Sequence, residues 1–130
     1  MNLHEEKFIR AFIVPEKRER YFCLFETKRG RRKLTDRLDH NHDIDSRFMY
    51  KIPGNLHFPP SVLAMLRQRG APATCHVISA SDLDGEEMEL EDALSATIGY
   101  GIGTVLSCIP GKLGYFEAED QGERYLLYRE

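Results

Sequence analysis

Apolar residues recur along this chain in two rhythms, helical in the first half and mainly extended towards the end. Phe8, Ile9, Phe12 and Ile13 fall at i, i+1, i+4 and i+5, one stripe of a helix with Glu5 and Glu6 in its first turn. Pro15 stops that helix, because a residue before proline is pushed away from helical angles, and it suits the first turn of the next element. Tyr21, Phe22, Leu24 and Phe25 then put a broad apolar stripe on a second helix within 15–28. Gly30 reads as a break, and Leu34 and Leu38 at i, i+4 mark a short amphipathic helix over 31–40. The N-terminal half is therefore expected to be helical.

Residues 40–46 read as a polar loop and 48–52 as a short strand, closed by Pro53-Gly54, a pair suited to a type II turn. Pro59-Pro60 opens a helix through Val62, Leu63, Met65 and Leu66, which Gly70 ends with Pro72 beyond it. Residues 74–79 read as a buried strand, followed by an acidic loop turning at Asp84-Gly85. Leu90, Leu94 and Ile98, spaced by four, give a helix stopped by Gly99. From Gly103 to Tyr128 run three short segments rich in β-branched and aromatic residues, divided by Pro110-Gly111 and by 119–123 with Gly122 available for a left-handed position. Such runs form an antiparallel meander. In its first strand Val105, Ser107 and Ile109 share one face and Thr104, Leu106 and Cys108 the other, so both faces are largely apolar and the strand is expected to be central. The pattern predicts an α+β fold, a helical N-terminal half packed on a mainly antiparallel sheet of four or five strands ending in a C-terminal β-meander, as a single globular domain over 1–130.

A hydrophobic share of 42% excludes disorder, and 130 residues suffice to bury a core without disulfides or metal. Cys23, Cys75 and Cys108 all lie in apolar runs without CxxC spacing, the pattern of buried, reduced thiols. No run approaches the roughly 18 apolar residues of a membrane span, and Met-Asn-Leu-His-Glu-Glu lacks the basic start of a signal peptide. A cytoplasmic protein with no membrane partner is expected.

Charge changes the picture more. The formal net charge of -3 hides nine bases against three acids over 17–37, and seven acids without a base over 82–92. Lys28, Arg29, Arg31, Arg32, Lys33 and Arg37 could neutralise several phosphates, a nucleic-acid reading that the acidic remainder and the lack of interleaved aromatics weaken. Asp39-His-Asn-His-Asp-Ile-Asp45 supplies His40, His42, Asp43 and Asp45 as candidate metal ligands, since His-x-His on an extended segment points both rings one way. Residues 82–91 fail as a calcium loop, because Ala80 would stand at the first ligating position. Gly99-Tyr-Gly-Ile-Gly103 runs from helix into strand, the wrong order for a phosphate loop, and reads as a helix stop with a bend. Cys75 and His76 alternate to opposite faces of their strand, which leaves His76 with Cys108 or Ser107 as the catalytic pairing across strands.

Three function classes stay open. The favoured one is a protein-interaction or regulatory module, meeting a protein partner or a second copy through the basic 17–37 and acidic 82–92 segments. Against it stand a nucleic-acid binder using 28–37 and a small enzyme with a His/Asp or His/Cys site on the sheet. No cofactor motif is present, and an enzyme is the less favoured reading.

Overall fold

A computed structural model describes residues 2–120 and 122–130, apart from the side chains of Asp39 and Asn41. Asn2 caps α1 (Leu3–Phe12), its side chain accepting from His4 N at 2.7 Å, and α1 buries the stripe Phe8, Ile9 and Phe12. Pro15 opens a 3-10 turn (Pro15–Lys17) that leads into α2 (Arg18–Phe25). Thr27 caps α3 (Lys28–Asn41) by accepting from Gly30 N at 2.9 Å.

The break expected at Gly30 thus lies earlier, at Glu26 and Thr27, and Gly30 sits inside the first turn of α3. A Cβ there would come within 2.4 Å of the Leu24 carbonyl oxygen, so glycine lets α2 and α3 approach. The loop over 40–46 is also reshaped. Helix α3 runs on to Asn41, His42 turns the chain at a left-handed φ of 53°, and Asp43, Ile44 and Asp45 are buried. An isolated bridge joins Ile44 to Ile13.

Six strands form one antiparallel sheet in the order β1-β6-β5-β4-β2-β3. They are β1 (Met49–Lys51), β2 (Thr74–Ser79), β3 (Glu87–Glu89), β4 (Thr104–Ile109), β5 (Leu113–Glu117) and β6 (Arg124–Tyr128). Five of the six are those the pattern predicts, and the sixth, β3, comes from the acidic stretch read as loop. Pro53-Gly54 makes no type II turn: Gly54 starts a 3-10 turn (Gly54–Leu56) and is not among the glycines with positive φ.

Strand alternation divides the interior into two cores. Ile78, Val105, Phe116 and Leu127 face α1, α2 and α3, whereas Cys75, Val77, Leu106, Cys108, Tyr115 and Leu126 face α4 (Pro59–Gln68) and α5 (Leu90–Thr97). Helices therefore cover both faces, and β4 is central as expected, with β2 and β5 on either side. A register shift between Ser107 and Ile109 moves Ile109 against the α4–α5 core, away from the face of Val105. Of the three thiols, Cys75 and Cys108 are buried but Cys23 is exposed, because α2 turns its Tyr21 and Phe25 inward. No helix among the described residues is long and apolar enough to cross a membrane.

Candidate binding cleft and buried polar networks

The basic stretch divides when α3 forms. Lys28, Arg29, Arg32 and Lys33 are exposed, and no carboxylate among the described residues lies within ion-pair distance of them. Arg31 turns in and forks. Its Nη1 and Nη2 donate to Glu5 at 3.1 and 2.8 Å, and its Nε and Nη2 donate to Asp84 at 2.9 and 3.2 Å. Arg37 lies near Tyr21, with a buried Nε that has no hydrogen-bond partner among the described residues. Basic and acidic segments thus already meet within one chain, through Arg31 and Asp84.

Glu5 belongs to a larger buried network under the start of α1. His76 on β2 lies with Nε2 2.8 Å from Glu5 Oε2, and His4 Nδ1 lies 2.7 Å from Ser107 Oγ on β4. Burial works to raise the Glu5 carboxyl, but hydrogen bonds from His76 and Arg31 and the Arg31 charge outweigh it and hold it at about 2. The two imidazoles stack 5.5 Å apart. This is not the wiring of a nucleophilic triad, in which the carboxylate orients the ring that takes the nucleophile's proton: here Glu5 orients His76, while Ser107 meets His4. Burial lowers the pKa of His4, with His76 beside it adding to the effect.

The His/Cys pairing does not form. His76 and Ser107 face α1, whereas Cys75 and Cys108 pack in the core beneath α4 and α5. Burial, with Glu87 nearby, pushes the Cys75 thiol up to about 12, and burial raises Cys108 as well, so both are protonated at neutral pH.

On the opposite face, Glu117 is 1% exposed and fully engaged. It accepts from Tyr115 OH at 2.8 Å, from Arg124 Nε at 3.1 Å, and from the backbone N–H groups of Gly99 and Gly101 at 3.4 and 3.2 Å. Arg124 Nη1 donates to His57 Nδ1 at 2.8 Å, which leaves the His57 proton on Nε2, facing the Ile52 carbonyl at 2.6 Å. The glycine run 99–103 is thus a loop moulded around a buried carboxylate, and the N–H groups of Gly99, Tyr100 and Gly101 are already occupied.

The four candidate metal ligands of the 40–46 loop separate for a plain reason: the loop is half helix and half buried bridge. Asp43 is 1% exposed and accepts from Tyr21 OH at 2.7 Å. Asp45 accepts from Arg47 Nη2 at 2.7 Å, which holds its carboxyl below the usual range. His40 stays on α3, 3.4 Å from Asp36, while His42 lies past the helix end. Asp39 opens the same stretch, and its side chain lies outside the described residues.

The fold builds instead a cleft of about 500 Å3 between the end of α3, residues 14–16, residues 44–49 and the β5–β6 hairpin. Leu38, Ile44, Met49, Phe116 and Ala118 give it apolar walls. Glu16, Asp45, Asp120 and Glu123 also line it, with His42 and Tyr125, and among the described residues its lining holds no lysine or arginine. The Tyr125 hydroxyl donates to Glu123, and burial together with that carboxylate pushes the phenol up to about 12. The volume falls within the range of ligand clefts, and carboxylates above a low-dielectric floor focus a negative field. Glu16, Asp120 and Glu123 escape sequence reading because each reads locally as a turn or helix-start residue, and only tertiary folding brings them together. Comparison of the chain with protein-family models, with curated proteins and with solved structures finds no match.

Proposed function

We propose that the protein is an interaction module that pairs with a second copy of itself, each copy placing the basic start of its α3 against the acid-lined cleft of the other. The observation that carries this is the cleft lining: apolar walls under four carboxylates, of which Glu16 and Asp120 have no ion-pair partner among the described residues, and no basic side chain but His42 among the described lining residues. Lysine and arginine suit such a site, since their aliphatic stems lie on apolar surface while their charged heads reach the rim. Lys28, Arg29, Arg32 and Lys33 supply that chemistry on the same molecule. The cleft is preferred to the 82–92 segment as the acidic partner because its carboxylates stand over apolar walls; Asp45 pairs with Arg47 and Glu123 with Lys51, which leaves Glu16 and Asp120 to meet the basic start of α3.

The geometry suits a closed pair. Basic start and acid cleft lie at opposite ends of α3, a 14-residue helix and so about 21 Å long. An antiparallel approach of two α3 helices about a two-fold axis brings both complementary contacts together at once, and the assembly stops at two. Light scattering on the eluting protein at about 50 and 500 mM salt tests this, since screening tightens from about 14 to about 4 Å over that range. The expected result is a dimer that loosens at high salt. Glu16→Lys with Asp120→Lys, or Lys28→Glu with Arg32→Glu, should each give a monomer, and all four changes together should restore pairing. A wild-type monomer at both salts overturns self-association, and failure of that monomer to bind a lysine/arginine-rich peptide overturns the cleft reading too.

A second reading, nucleic-acid binding, has one observation in its favour, the four exposed cations on the first two turns of α3. A monomer that carries nucleic acid at low salt and sheds it at high salt, seen in the 260/280 nm absorbance ratio, would move the function to Lys28–Lys33.

A further inference from the structure

We infer a divalent transition-metal site formed by Asp36, His40 and Glu119. Asp36 and His40 stand at i, i+4, which places both on one exposed face of α3. Glu119 reaches them from the turn between β5 and β6. One ligand atom from each of the three lies within 4.8 Å of the other two, and His40 Nε2 is 3.4 Å from Asp36 Oδ1. Ligand atoms held at about 2.0–2.2 Å from a tetrahedral metal sit about 3.4 Å apart, so exposed side chains close this set with small rotations.

Charge and ligand type argue for the same occupant. Asp36 and Glu119 converge with no lysine or arginine among the described residues within ion-pair distance. A dication supplies what this convergence lacks. One imidazole with two carboxylates suits zinc, cobalt or manganese better than calcium, which takes an all-oxygen shell. Three protein ligands leave positions for water, the arrangement of an exchangeable ion. Of the ligands suggested by the sequence only His40 belongs to the set; its partners come from one turn earlier on α3 and from a distant hairpin.

The site has a consequence for the cleft beside it. Leu38 of α3 and Ala118 and Asp120 of the hairpin line that cleft, so an ion on Asp36, His40 and Glu119 ties its two walls together. Metal binding does not rest on the self-association above and is tested separately. The full chain, stripped with chelator and carrying Cys23→Ser to remove the exposed thiol, is titrated with zinc and with manganese by calorimetry, and its thermal midpoint is followed. One equivalent should bind per chain and raise the midpoint. His40→Ala and Glu119→Gln, both exposed substitutions whose far-UV circular dichroism should match the parent, should each weaken binding at least tenfold. Glu91→Gln, an exposed carboxylate on α5, should leave it unchanged. No binding by the parent, or equal binding by the parent, His40→Ala and Glu119→Gln, overturns the site.

Discussion

Gly30 shows how a single residue is decided by what it touches. In isolation a glycine-to-alanine change within a helix gains about 1 kcal/mol from propensity. Here the new Cβ would stand 2.4 Å from the Leu24 carbonyl oxygen and 2.9 Å from both Leu24 Cα and the capping Thr27 Oγ1. Two of those atoms are backbone and the third anchors the helix start, so none moves freely. Overpacking typically costs about 1–3 kcal/mol, and an approach of 2.4 Å to a backbone atom belongs at the upper end of that range, above the propensity gain. Gly30→Ala is therefore expected to lower stability by about 1–2 kcal/mol, read as a lower urea midpoint with unchanged slope. A raised midpoint would mean that α2 and α3 separate without cost. The same residue marks a limit of the sequence. Glycine reads as a helix breaker because the reason for it, a close approach of two helices, is written in Leu24 and not in its own neighbours. Glu117 is a parallel case, since nothing local distinguishes a strand-end carboxylate in water from one enclosed by Tyr115, Arg124 and two glycine N–H groups.

Elements were legible where an apolar period ran unbroken. Helix α1 announces itself through Phe8, Ile9 and Phe12, but its polar first turn carries information the period does not. Glu5 reads as a helix-dipole acid and proves to be the junction of α1 with β2, α3 and the 81–85 turn, through His76, Arg31 and Asp84. This has a definite consequence for pH. The Glu5 carboxyl is depressed from 4.5 to about 2, so the stability it contributes is complete above pH 4.5 and disappears as pH falls towards 2. A shift of that size corresponds to roughly 3 kcal/mol. Urea midpoints measured between pH 2 and 6 should fall steeply across that window. In Glu5→Gln the slope should flatten, and stability at pH 7 should drop because Arg31 loses the more buried of its two carboxylate partners. An unchanged slope in the variant would assign the acid sensitivity to other carboxylates.

At the scale of the whole molecule, the meander and its central strand followed from alternation alone, whereas strand order and the side on which each helix packs did not. Both depend on pairings between distant segments, such as β2 between β4 and the acidic β3, for which period and turn chemistry give no address. The resulting design has one sheet serving two cores, and this bears on how the protein unfolds. Leu106, fully buried, faces α4 and α5 from the central strand; Val105, its neighbour, faces α1 to α3. If the sheet makes the chain a single cooperative unit, damage to either face must lower the same transition. Leu106→Ala is expected to cost about 2–5 kcal/mol and Val105→Ala about 2 kcal/mol, each as a shift of one midpoint. The chain has no tryptophan, so tyrosine fluorescence reports tertiary packing and far-UV circular dichroism reports the backbone. Their urea curves should coincide in the parent and in both variants. Curves that part in Leu106→Ala alone would show that the α4–α5 layer melts away from a sheet still held by the N-terminal helices, and that the two faces fold as separate units.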